Sequence, residues 1–207
     1  KKIIDKTKLH NMAIYTERKL VKDTNGDQDS IWAAHGGFKK IIFNKNGTQI
    51  KDLKINKSKF KELEENILLF NTSIVRNSSL IEKKKMETLG SKIHLYDKLK
   101  YFVGESEKIL TSNCDEKDFG FLLNEYWHLK KELSPNVSNT AINDIYKIAI
   151  ENGAIGGKIL GAGGGGYLMI YCQKKSQKKL IKSLNKLIYV KIKFSKSGSQ
   201  IIRDIEI

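Results

Sequence analysis

Arginine is nearly absent from this 207-residue chain, supplying only Arg18, Arg76 and Arg203 among 38 basic residues. Proline occurs once, at Pro135, and cysteine twice, at Cys114 and Cys172. Cysteines 58 positions apart form no C-x-x-C pair or metal spacing, and a reducing cytoplasm is the simplest compartment. In that compartment the Asn-x-Ser/Thr triplets at Asn46, Asn71 and Asn136 are incidental. Four histidines without ligand spacing argue against a zinc site. No apolar run approaches the roughly 20 residues of a membrane span, and no secretory leader opens the chain. The first residue is Lys1 rather than Met, so what precedes it is left open.

Lysine is what the chain has in plenty. A net charge of +15 invites a nucleic-acid reading. The lysines are scattered, however, and the runs at Lys83–Lys85, Lys174–Lys175 and Lys178–Lys179 fall on helical stretches where a solvated face is the simpler account. The expectation is therefore no nucleic-acid partner and no membrane. With 40% apolar and 29% charged residues, the composition is that of a soluble globular protein of one or two domains.

Periodicity predicts a helix over 8–21, a polar turn over 22–29, and a hairpin of strands 38–43 and 48–55. A short buried strand follows at 67–70, then helical pattern over 74–112 and 116–132. A further helix is capped by Ser138 or Asn139, carries the stripe Ala141, Ile142, Ile145, Ile148, Ala149, and ends at Gly153. Beyond it come a strand, a glycine cluster, strand 167–172, helix 176–188, and strands 188–194 and 200–206. The order reads as α+β, with a boundary near 57–66.

Five glycines fill six positions between Gly161 and Gly166. Such a cluster serves tight turns or close backbone approach, because glycine costs the most entropy to order. Successive bare N–H groups also form anion-binding concavities. Gly161-x-Gly163-x-x-Gly166 satisfies the dinucleotide fingerprint literally, but Tyr167–Tyr171 reads as a strand where that fingerprint needs a helix. A P-loop fails too, since Ile159 follows Lys158 where a hydroxyl is needed. A strand–loop–strand corner is the structural alternative. The acidic turn from Asp23 to Asp29 fails as a calcium loop, with Gln28 and Ala34 at the positions requiring glycine and glutamate.

Together these segments carry a resemblance. Lys158-x-x-Gly161-Ala162-Gly163-Gly164-Gly165-Gly166 is similar to the third motif of the GHMP kinase superfamily. Gly26-x-Gln28-Asp29, followed by Ala33-Ala34-x-Gly36-Gly37-Phe38, resembles its Gly-x-Gln-Asp-Gln segment, with Ser30 in place of the second Gln. Thr72-Ser73-x-x-Arg76-x-Ser78-Ser79 is similar to its Thr-Gly-x-x-Arg-x-Ala-Ser segment. The flanks Leu122–Lys130, Ile142–Tyr146 and Gly153–Lys158 resemble the branch of heptose-phosphate and fucokinase-like sugar kinases.

The resemblance implies a two-domain GHMP fold: a partial ribosomal-S5-like N-terminal domain in 1–58 and a ferredoxin-like C-terminal domain in 59–207. It implies a cytoplasmic sugar kinase that uses ATP and Mg2+ on a sugar or sugar phosphate, heptose 7-phosphate favoured. Asp29 becomes the catalytic carboxylate. Gln28, Gly36, Gly37, Thr72, Arg76 and Lys130 become substrate contacts, and Gly161, Ala162, Gly163, Gly164, Gly165 and Gly166 the ATP-phosphate loop. No metal ligand is identified in this chain, and a homo-oligomer is left open. The plainer accounts are a helix salt bridge for Arg76, ordinary surface for Lys130 and helix packing for Trp127 and His128. The family's Pro-x-x-x-Gly-Leu-Gly-Ser-Ser ATP loop is missing from the sequence. A non-catalytic remnant binding a sugar phosphate or a partner chain is therefore the alternative.

Overall fold

The computed structural model describes residues 5–23, 26–75 and 78–200, and its elements divide between two units. One unit holds the chain up to Lys54 together with the segment from Phe194, and the other is Ile55–Lys193. Sequence alone places that returning segment with the C-terminal domain.

In the first unit, helix α1 (Lys6–Tyr15) is capped by Asp5, whose carboxylate accepts from the Lys8 amide. A π-helical turn at Thr16–Val21 ends at Lys22, which adopts a left-handed φ of 60°. Helix α2 (Gln28–His35) follows and buries Ser30, Ile31 and Ala34, one face at helical spacing. The hairpin β1 (Lys39–Asn44) and β2 (Gly47–Asp52) pairs Asn44 with Gly47 across a two-residue turn, as the Asn-Lys-Asn-Gly signal predicts.

The second unit opens with α3 (Lys57–Asn66), capped by Asn56, where sequence pattern marks only a boundary. Its composition is mostly charged, and the pair Phe60 and Leu63 is too short a stripe to announce a helix. Strand β3 (Ile67–Asn71) leads to α4 (Ser78–Glu87), a 3₁₀ turn at Gly90–Lys92, and the long α5 (Ile93–Thr111). Helix α6 (Glu116–Leu133) starts on an Asp115 cap, and the single proline opens a 3₁₀ turn over Pro135–Val137. Helix α7 (Thr140–Glu151) is capped by Asn139, whose side chain accepts from the Ile142 amide. Of the two predicted caps, Ser138 instead donates to the Asn143 side chain.

Strands β4 (Gly156–Ile159) and β5 (Tyr167–Tyr171), helix α8 (Lys174–Ser183) and strand β6 (Ile188–Val190) complete the unit. The sheet order is β4-β5-β3-β6, all antiparallel, which is the ferredoxin-like arrangement. Leu68, Phe70, Ile159, Leu168 and Ile170 point from one face into a core shared with α7, α8, Trp127 and Val137. The fold class is α+β with antiparallel sheets, as expected. Strand β6 ends at Val190, short of the predicted 194, and most of the expected strand 200–206 lies outside the described residues. Among the described residues no helix is long and apolar enough to cross a membrane.

Candidate functional site

The corner between β4 and β5 holds the longest run of positive φ among the described residues of the second unit. Leu160 N–H donates to Tyr167 O at 2.9 Å, extending the ladder by one rung before the loop opens. All five loop glycines hold positive φ, from 68° at Gly161 to 156° at Gly165, a region L side chains rarely adopt. Space is short as well. A Cβ on Gly163 would lie 2.7 Å from Val137 O, and one on Gly165 2.5 Å from Ile74 O. The sequence thus puts glycine where neighbouring backbone leaves no room for anything else.

Loop hydrogen bonds follow a clear polarity. The Gly161 carbonyl accepts from Lys130 Nζ at 2.7 Å, and the Gly164 carbonyl from Asn139 Nδ2 at 3.4 Å. The Gly166 carbonyl accepts from both the amide and the hydroxyl of Thr72, each at 2.8 Å. Gly164 and Gly166 also donate, to Val137 O at 2.8 Å and Ile74 O at 3.3 Å. The amides of Gly161, Ala162 and Gly163 donate to no acceptor among the described residues. Consecutive bare N–H groups on a loop of this kind suit an anion.

Cationic side chains lie along the adjoining seam between α6 and β4. Lys130 is buried at 6% exposure. One helical turn before it, Tyr126 presents its ring to Lys158, whose Nζ stands 4.6 Å from the centroid. Burial pulls the Lys158 ammonium down to a pKa of about 8, and no carboxylate pairs with it among the described residues. In the sequence Lys158 is only one letter of a motif, because the fold alone shows that its charge is both shielded and unpaired.

Within the first unit, Gln28 and Asp29 occupy the first turn of α2, both exposed. The Asp29 carboxylate has no hydrogen-bond or ion-pair partner among the described residues. A carboxylate at a helix N-terminus is favoured by the helix dipole and open to a ligand. The flanks of Asp29 are tied instead: Ser30 Oγ donates to Glu17 Oε2 at 2.9 Å, and Asp27 meets Arg18 at 2.7 Å. The departure from the family pattern at Ser30 is thus a contact with the preceding helical segment. At the far end of α2, His35 Nε2 faces His10 Nδ1 at 3.0 Å. Desolvation, with the charges of His10, Lys39 and Lys6, holds His35 below its ordinary pKa. Nothing in the spacing of positions 10 and 35 signals this pair.

Other predicted contacts prove to have structural partners. Gly36 and Gly37 both have φ of 66°. A Cβ on Gly36 would overlap the backbone of Ser197 and Gly198, while the Gly37 amide donates to Ser195 O at 3.1 Å. Close approach of the returning segment accounts for both. Thr72 and Lys130 are buried against the glycine loop, and Arg76 lies outside the described residues. Of the sequence-predicted set, the second unit brings together Thr72, Lys130 and Gly161–Gly166, while in the first Gln28 and Asp29 start α2 and Gly36 and Gly37 follow its other end. Among the described residues no group of three or more His, Cys, Asp or Glu could hold a metal ion.

The family described as GHMP kinases C terminal matches residues 110–189. The chain is 33% identical over 179 residues to the D-glycero-alpha-D-manno-heptose 7-phosphate kinase of Campylobacter jejuni, across 84% of this chain and 52% of that protein. The D-glycero-D-manno-heptose 1-phosphate kinase of Bacteroides thetaiotaomicron superposes with a TM-score of 0.62 at 20% identity, over 97% of this chain and 57% of that one. The mevalonate kinase of Methanococcus jannaschii gives 0.69 at 21% identity, over 91% and 56%. These two structures share the fold. The chain spans about half the length of each relative.

Proposed function

Residues 110–189 are a GHMP kinase C-terminal domain, and from that premise we propose that the chain belongs to an ATP-dependent sugar kinase with heptose 7-phosphate as its favoured acceptor. The observation that carries the reading is the glycine loop, whose carbonyls are tied to the protein while three successive amides donate to no described residue. Such amides meet phosphate oxygens with no reorganisation at the moment of transfer. Mg-ATP enters as the substrate.

Asp29 is the group at the acceptor. A sugar hydroxyl is a poor nucleophile near neutral pH, and an ionised carboxylate can orient it and take its proton. As the hydroxyl oxygen bonds to the γ-phosphorus, the bond to the β-phosphate oxygen breaks, ADP leaves and Asp29 holds the proton. Gln28, exposed beside it, is assigned to the sugar. The identity to a named heptose 7-phosphate kinase supports the choice of acceptor. The unit up to Lys54, with the segment from Phe194, is taken as the remaining part of the family's N-terminal domain, and Ile55–Lys193 as its C-terminal domain.

The test uses the complete gene product with Mg-ATP and, in turn, heptose 7-phosphate, galactose and fucose. Phosphorylation of the heptose phosphate is expected, falling roughly 10²- to 10⁴-fold in Asp29→Asn. Absence of turnover on every sugar, or full turnover in Asp29→Asn, removes the reading. Binding of sugar phosphate without turnover would instead support the non-catalytic alternative.

A further inference from the structure

The ammonium of Lys130 does not face open solvent. It is buried, and it ends on the Gly161 carbonyl at 2.7 Å. Among the described residues no peptide bond is cis, so the Gly161–Ala162 unit is planar and trans. In a trans unit the C=O and the following N–H point in opposite directions. Holding the Gly161 carbonyl on Lys130 therefore turns the Ala162 N–H away from Lys130. That N–H is one of the three with no described acceptor.

The constraint matters because the loop could otherwise rearrange. Gly161 has φ of 68° and no side chain, so its ψ leaves the Gly161–Ala162 peptide free to tilt, short of the full flip that would drive Ala162 to positive φ. Tilted, the same peptide would turn its N–H off the anion and bring the carbonyl dipole toward it. The downstream end is fixed independently, by Thr72 on the Gly166 carbonyl and Asn139 on the Gly164 carbonyl. At the upstream end the side-chain anchor is Lys130, and its charge makes that hydrogen bond stronger than a neutral one.

We propose that Lys130 is a positioning residue that locks the Gly161–Ala162 peptide with its amide toward the bound phosphate, rather than a contact to the sugar. The proposal rests on the kinase reading for the identity of the anion, but not for the lock itself. Lys130→Met in the complete gene product is expected to raise the KM and Kd for Mg-ATP at least tenfold. The KM for the sugar phosphate should change less than twofold, and Lys130→Arg should restore most of the loss.

A rise in sugar-phosphate KM with Mg-ATP affinity intact overturns the lock in favour of a direct substrate contact. Unchanged constants for both substrates overturn it as well. A crystal structure of Lys130→Met gives a readout independent of activity: a reoriented or disordered Gly161–Ala162 peptide supports the lock, and an unchanged one overturns it. Should Lys130→Met not fold, Lys130→Gln takes its place in the same measurements. If the wild type binds no nucleotide, the kinase reading falls while the peptide orientation still decides the lock.

Discussion

The glycine loop and the start of α2 are held in opposite ways. The loop is fixed by backbone: five positive φ angles, and neighbouring carbonyls at the distance where a Cβ would stand. The first turn of α2 is an ordinary helix turn whose Asp29 carboxylate is exposed, secured through the side chains on either side of it. A surface that contacts phosphate through amides must be built before the ligand arrives, because backbone dipoles cannot be re-aimed cheaply. A carboxylate that must reach a hydroxyl needs access, so restraint is placed on its neighbours. The contrast predicts that loop substitutions act on stability and chemistry together, whereas Asp29 substitutions act on chemistry alone.

The largest effect should separate those two cleanly. Asp29→Asn should cut turnover roughly 10²- to 10⁴-fold, equivalent to about 3–5 kcal/mol, with an unfolding midpoint within about a degree of wild type. A large drop in Tm would show that the carboxylate is structural and break the contrast. Gly163→Ala should destabilise by about 3 kcal/mol in denaturant unfolding, combining positive φ with overlap against Val137. A stable Gly163→Ala protein would mean the loop is softer than its contacts imply.

A smaller effect concerns pH. His35 has its folded pKa below the ordinary value of 6.5, so the unfolded chain binds more protons in the window just under that value. The stability held through His35 is complete above pH 6.5 and is lost as pH falls through the folded pKa. Lowering pH from about 7.5 to about 5.5 should reduce Tm, and His35→Asn should flatten that slope. The groups facing His35 are His10 and Lys6 on α1, Asp5 at its cap, and Lys39 on β1. An equal slope in both proteins would place the titration elsewhere.

The smallest expected change is a gain. Lys158 keeps a shielded ammonium without a described carboxylate, and desolvation favours its neutral form. Stability should therefore rise as pH goes from about 8 toward the ordinary lysine value of 10.5, where the unfolded chain still holds the proton. Near neutral pH Lys158→Met should raise stability by about 1 kcal/mol, the relieved desolvation outweighing the lost ring contact. A loss of stability would mean that the contact with Tyr126 dominates.

Much of the fold can be read from pattern. The Asn44–Gly47 turn, the Asn139 cap with its stripe, and the strand after Gly166 all follow from local rules, and each appears where spacing puts it. Helix α3 is not legible, because its ten residues offer one apolar pair and otherwise mostly charge. The candidate site divides in the same way. Asp29 and the glycine run stand out by residue type and order. Lys130, Thr72, Gly36 and Gly37 carry the same letters whether they touch a ligand or a backbone, and only packing tells which.

By itself, then, the sequence determined the α+β class and the strand–loop–strand setting of Gly161–Gly166, since these depend on local conformational preference. Tertiary structure alone decided that Lys130 and Thr72 hold that loop, that Lys158 is shielded without a described counter-charge, and that His10 meets His35. Those contacts span 31, 94 and 25 positions for Lys130–Gly161, Thr72–Gly166 and His10–His35. At such separations no local rule operates, and the burial and partner of a polar group are set by which elements the core brings together.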